Sequence, residues 1–347
     1  MVKYSVIESD SNPFSDYFKE DNPSYHEKIQ RHYVKTVELV VGNNKSVLLT
    51  EFRKNKDRRA ERVLYYVCGY DDYFYHFHLF DFDLDVVVID ITGFGYNKKY
   101  SKSKPYEVER LFNFYDDVSE VCEYMKVAFD YIKCNYYYSK SYLYGHSTGG
   151  NVVINYLNHL QISKKPIDFT KVILCSPLTR FYHPSPLLLL LLLVLCKILG
   201  YLTNYFDVNA LINGIAKLSD RTNYNRALNS IHGTSGLNYV NNYYVNRVEQ
   251  PKLNGWINAV EESIRRMKAS GVKIDCNLIM VCAQQYGTAG YFDTDAFLNP
   301  ADMVEDVKAI FKNPVIRQYK CPHDCLLAPF DNGTAVNYKM ILEFLFE

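Results

Sequence analysis

Tyr142–Asn151, YLYGHSTGGN, sets a serine between two glycines, after one apolar run and before another. The pattern is Gly-x-Ser-x-Gly, with Gly145, Ser147 and Gly149. SYLY before it reads as a buried strand, and NVVINYL after it reads as a helix. A serine in a sharp strand-to-helix turn is held in strained geometry, with its hydroxyl projecting above the sheet edge. Glycines two residues to either side let strand and helix approach closely. The start of the following helix also favours developing negative charge. The bland alternative is a Gly/Ser-rich turn without chemistry. The strand-and-helix context, with Gly150 as a further glycine, favours the nucleophile.

Outward from this turn the chain alternates. Before it, KTVELVV and SVLLTEF read as a hairpin with GNNK as the turn. RVLYYVCGY and LDVVVIDI are short, apolar and β-branched, the pattern of strands buried on both faces. A helix is expected over roughly Val108 to Ile132, from apolar residues three and four apart. After the turn, KVILCSP, NLIMVCA and PVIRQYK read as strands. PADMVEDVKAIF and GTAVNYKMILEFLF read as helices. Strands alternating with helices predict a doubly wound, mostly parallel α/β sheet. Residues 1–34 are polar and interrupted by Pro and Asn, and are expected to form an arm. Residues 35–178 and 272–347 would form the core. The stretch 179–271 carries no clear strand and reads as a helical cap inserted between core strands.

A serine hydroxyl attacks well only when a base takes its proton. On this kind of turn the partners follow in the order serine, acid, histidine. His323, in CPHDC just after PVIRQYK, is the only histidine beyond His232 and so the candidate base. His146 reads as a packing residue. The acid belongs after NLIMVCA, where YFDTDAFLNP offers Asp293 and Asp295, and the bare sequence does not choose between them. Its role is to orient the imidazole and stabilise the imidazolium. Asp324 is too close in sequence to His323 to be the preferred partner. An oxyanion site needs two backbone N–H groups. One is expected from Thr148, the other from Tyr70 behind Gly69.

These residues resemble α/β-hydrolases of the monoacylglycerol lipase, lysophospholipase and serine-aminopeptidase-like group, over most of the chain from about Lys35. VLYYVCGYDDYF is similar to the family's oxyanion loop, with Cys68 where a histidine is usual. IDITGFG resembles the Asp-Leu-Arg-x-x-Gly segment, with Thr92 in place of the arginine. NGWINAVEESIRRM resembles the helix that leads from the cap back to the core. PHDCLLAP resembles the family's His-Asp loop. DAFLNP resembles the loop whose first Asp is the acid, and that resemblance implies Asp295 over Asp293.

Composition bounds the rest. The chain has 347 residues, 48% of them hydrophobic, which is ample for a large core. Lys+Arg 39 balance Asp+Glu 39, so nothing steers it toward nucleic acid. The start MVKYSVIESD carries no secretory pattern, and the nine cysteines are odd in number and scattered, so a reduced, cytoplasmic setting is expected. The spacing of CPHDC fits no usual zinc pattern, and neither metal nor cofactor is expected.

The apolar run PSPLLLLLLLVLCKILGYL is too short for a membrane span of about 20 apolar residues. A helix apolar on all sides is either buried or pressed into lipid. Lining an acyl pocket is the first expectation, with Leu187, Leu190, Leu191 and Leu195 as the contacts. Peripheral docking of the cap on a membrane and plain packing within the cap are the alternatives. The function expected is a serine hydrolase of carboxylic esters, with a lipid ester as the substrate. A peptidase or thioesterase on the same residues, or a silent binding protein, are the alternatives.

Overall fold

The computed structural model describes residues 5–9, 27, 29–42, 45–69, 74, 76–91, 94, 95, 97, 117–182, 184–203, 208, 254–287, 294, 295, 297–327 and 346. Nine strands form one sheet: β1 (Ser5–Ser9), β2 (Tyr33–Gly42), β3 (Lys45–Arg53), β4 (Arg62–Val67), β5 (Asp85–Ile91), β6 (Lys140–His146), β7 (Lys171–Cys175), β8 (Leu278–Ala283) and β9 (Val315–Tyr319). Their order is β1-β2-β3-β5-β4-β6-β7-β8-β9. The first three pairings, up to β3 against β5, are antiparallel, and the rest are parallel. The expected hairpin is the β2–β3 pair, with Val37 opposite Leu49. Within the expected arm, Ser5–Ser9 adds an edge strand to β2.

Alternation along the strands explains why both faces are covered. Val63, Tyr65, Val67, Leu143, Val172, Leu174 and Met280 point to one apolar layer. Leu64, Tyr66, Tyr142, Tyr144, Ile173 and Val281 point to the other. A strand apolar on both sides belongs in the middle of a sheet covered twice. The first layer is closed by helices α1 (Val118–Asn135), α2 (Thr148–Ile162), α4 (Asn254–Ala269) and α5 (Pro300–Ile310). Helix α3 (Pro186–Gly200) packs on α4.

Helix α1 begins at Val118, where the Asp117 side chain accepts the Ser119 N–H at 2.7 Å. Such a cap satisfies a donor that the helix start leaves open. The earlier residues of the expected helix, 108–116, lie outside the described residues. So does most of the closing helix, although Phe346 is helical and packs on Tyr142 and Phe82. Among the described residues, no helix is long and apolar enough to cross a membrane.

Strand order also says where a ligand belongs. Strand β4 is followed in sequence by β5 on one side of it, while β6 lies on its other side. A crevice opens outside the carboxyl ends of the strands where the winding reverses. Gly69 lies just past the end of β4, and Ser147 just past the end of β6.

Candidate active site

Ser147 has φ 51 and ψ −116, a left-handed conformation that costs a non-glycine residue of order 1–3 kcal/mol. The surroundings hold it there. Its N–H donates to the Cys175 carbonyl at 3.0 Å, and its own carbonyl accepts from Leu178 N–H at 2.9 Å. The glycines are required by space. A Cβ on Gly149 would come within 2.2 Å of the Val67 carbonyl oxygen, and one on Gly145 within 2.8 Å of the Gly149 oxygen. Helix α2 therefore starts in direct backbone contact with β4. Thr148 is its first residue and is buried, so its N–H points from the positive end of the helix dipole.

Asn151 braces the turn, a role no sequence pattern pointed to. Its Nδ2 donates to the Leu178 carbonyl at 3.0 Å, and its Oδ1 accepts from Ser263 Oγ of α4 at 3.0 Å. A buried amide satisfied from two other segments fixes their position relative to the turn.

His323 follows β9, and Asp295 follows β8. His323 Nδ1 and Asp295 Oδ2 are 2.8 Å apart, and both side chains are buried. The second carboxylate oxygen, Oδ1, accepts the N–H groups of Phe297 and Leu298, each at 2.8 Å. One oxygen is thus tied to the backbone and the other is aimed at the imidazole. With Nδ1–H donated to the carboxylate, Nε2 is the nitrogen left to accept a proton. The Phe297 ring packs edge-on against His323 at 5.2 Å, and His146 lies 5.1 Å away on another side.

The sequence-expected residues are placed as follows. Ser147 is half-buried at the switch point, with Gly69 against it: a Cβ on Gly69 would sit 3.2 Å from Ser147 Cβ. Asp295 and His323 are brought together. Tyr70 and Asp293 lie outside the described residues. His146 is a buried packing residue beside His323. Asp324 turns away from His323 and meets His76.

Leu187, Leu190 and Leu191 face outward, 65%, 57% and 55% exposed, while Leu195 is half-buried. A cavity of about 570 Å³ between α3 and α4 is lined instead by Leu189 and Leu193, with Phe181 and Ile264. Its lining includes none of Ser147, Asp295 and His323, and it falls on the opposite side of the helix from the expected leucines.

All nine cysteines carry free thiols. Burial pushes the Cys175 and Cys325 thiols well above the usual thiol range. Among the described residues, His146, Cys175 and Asp324 bring one potential metal-ligand atom each within 4.8 Å of one another. Asp324 Oδ1 already accepts the Leu326 N–H at 3.1 Å, and Oδ2 lies 3.0 Å from His76 Nε2. A protonated thiol is also a poor ligand.

Sheet order, strained serine turn and His–Asp pair together define an α/β-hydrolase. Within that class, residues 66–231 match the family model described as serine aminopeptidase, S33. The chain is similar in structure to a monoacylglycerol lipase from Paleococcus ferrophilus. That likeness has a TM-score of 0.55 at 15% identity, covering 86% of this chain and 98% of that one. It is also similar to a soluble variant of monoglyceride lipase from Saccharomyces cerevisiae, with TM-score 0.56 and 11% identity, covering 88% and 92%. An esterase from Exiguobacterium antarcticum gives TM-score 0.50 and 11% identity, covering 87% and 96%. No curated protein sequence matches the chain.

Proposed function

We propose that the protein is a serine hydrolase that cleaves carboxylic esters through an acyl-enzyme, with a lipid ester such as a monoacylglycerol or lysophospholipid as substrate. The observation that carries this reading is the buried 2.8 Å contact between His323 Nδ1 and Asp295 Oδ2, with the His323 ring 5.1 Å from that of His146, the residue before the positive-φ Ser147.

The chemistry follows from these groups. His323 Nε2 takes the Ser147 hydroxyl proton as Oγ attacks the ester carbonyl carbon. The carbonyl oxygen becomes an anion, received by the N–H groups of Thr148 and Tyr70. The intermediate collapses, and His323 returns the proton to the departing alkoxide. Water then attacks the acyl-enzyme, giving its proton to His323. The carboxylic acid leaves, and the serine recovers its proton. Asp295 holds the imidazole in the tautomer that makes Nε2 the base.

Two features favour a lipid ester. Helix α3 presents an apolar surface of Leu187, Leu190, Leu191, Val194 and Ile198 to the outside, suited to peripheral contact with a membrane. A cavity beside that helix has an apolar floor of Phe181, Leu189, Leu193 and Ile264. The names of the structural relatives, two of them monoglyceride lipases, agree with an ester.

The test compares p-nitrophenyl acyl esters with aminoacyl p-nitroanilides on the same preparation. Turnover of the esters is expected at least a hundredfold above the anilides. The reverse preference would assign the site to peptides.

A further inference from the structure

His323 and Asp324 are adjacent in the chain, yet their side chains part. His323 reaches Asp295, while Asp324 Oδ2 meets His76 Nε2 at 3.0 Å. Both His76 and Asp324 side chains are fully buried. The other oxygen of Asp324 accepts the Leu326 N–H at 3.1 Å, inside the base loop itself. His76 stands at the start of the short 3-10 helix Phe77–Asp81, and its carbonyl accepts the Leu79 N–H at 2.9 Å. Tyr66 and Phe74 pack their rings on it, with centroids at 5.7 and 6.4 Å. Each partner thus has contacts of its own besides the one they share.

The contact joins two loops that nothing in the sheet joins. The base loop leaves β9. The segment holding Gly69 and His76 leaves β4. Strands β6, β7 and β8 lie between them, so no ladder hydrogen bond sets the distance from one loop to the other. Gly69 packs on Ser147 and His146 from one side, and His323 packs on His146 from another. A proton acceptor and an oxyanion site act together only when their separation is held to a fraction of an ångström.

We propose that His76 and Asp324 are a positioning pair, a buried latch that fixes the loop of His323 to the loop following Gly69. Neither residue touches substrate, since both are shut off from solvent. They act through the placement of the base loop against the segment that leaves β4. The proposal rests on reading Ser147, Asp295 and His323 as the reacting set.

A latch predicts a particular kinetic signature. Substrate still binds, so KM for p-nitrophenyl butyrate stays within about twofold, while kcat falls about tenfold or more in Asp324→Ala, as expected for a small misplacement of reacting groups. The rate of fluorophosphonate labelling falls in parallel. Asp324→Asn keeps an acceptor oxygen in the same place and restores kcat toward the wild type. In a cycle with His76→Phe, the double variant His76→Phe/Asp324→Ala is no slower than the slower single variant, because both remove one contact. If Asp324→Ala does not fold, His76→Phe/Asp324→Asn removes the contact without stranding a buried charge, and the same loss in kcat is expected. Folding is checked by circular dichroism at the assay temperature. A folded contact-free variant with wild-type kcat overturns the latch, as does a loss confined to thermal stability. A wild type that hydrolyses no ester and takes no fluorophosphonate overturns the underlying reading of the serine, and the latch falls with it.

Discussion

At the scale of single residues, the site turns on a few atoms with no room to move. Gly149 is the clearest case, because its missing side chain is where the Val67 carbonyl lies. Gly149→Ala is expected to destabilise by about 1–3 kcal/mol, the usual range for overpacking, and to shift the serine with the backbone. Thermal melts of the variant beside its activity check both. Asp295→Asn should cut kcat by about 10⁴-fold, since the amide cannot hold the imidazole in the required tautomer. Asp293→Asn should cost far less, and steady-state kinetics on p-nitrophenyl butyrate separates them. Much of this was legible in the sequence. Ser147 stood out from its glycines, and His323 from the order of partners along the chain. The choice between Asp293 and Asp295 was not legible from spacing, because the fold of the loop decides which carboxylate reaches the imidazole. In the fold Asp295 lies 2.8 Å from His323 Nδ1, with its other oxygen held by the Phe297 and Leu298 N–H groups. His76 and Asp324 were illegible for a stronger reason. They come from segments nearly 250 residues apart (324 against 76), and the His-Asp pattern of PHDCLLAP does not say what Asp324 meets.

At the scale of elements, the strands were the readable part. Runs such as VVVID and LIMVC have few other ways to be buried, and they became β5 and β8. The leucine run was only half readable. Its composition fixed a helix and Pro186 fixed the start, but composition cannot say which face packs. In α3, Cys196 alone is fully buried, while Leu189 and Leu193 meet the cavity and Leu187, Leu190 and Leu191 look outward. The two faces make separable predictions. Polar substitutions at Leu189 and Leu193 should flatten the rise of kcat/KM with acyl length. That rise is bounded at about 0.8 kcal/mol, or roughly fourfold, per buried CH₂. Polar substitutions at Leu187, Leu190 and Leu191 should leave soluble esters unaffected and slow hydrolysis on lipid vesicles. A wild-type profile that peaks at acetate, with no activation by vesicles, would remove the lipid assignment and leave a small-ester hydrolase.

At the scale of the whole molecule, the end of the sheet away from the serine bears on stability. Asp85, buried at the start of β5, accepts from the Ala60 N–H at 3.1 Å and from Tyr138 Oη at 3.2 Å. Burial, with the nearby Glu51 charge adding to it, raises its pKa from 3.8 to about 6. The folded chain thus holds a proton that the unfolded chain releases. This contribution is fully present below the unfolded value and is lost as pH rises through about 6. Asp85→Asn mimics the protonated form. It should match the wild type near pH 4 and exceed it at pH 8 by on the order of 2 kcal/mol, measured by urea unfolding at both pH values.

The central claim spans all three scales: a sheet whose winding reverses at β4 and β6 lifts Ser147 into a crevice beside a buried His–Asp pair, and that serine is activated. The direct measurement is labelling of the intact protein with a fluorophosphonate, followed by peptide mass spectrometry to locate the adduct. One adduct per chain on Ser147 is expected, absent in a folded Ser147→Ala variant and lost together with ester hydrolysis. A folded wild type that takes no label, or a Ser147→Ala variant that hydrolyses esters at the wild-type rate, would contradict the account.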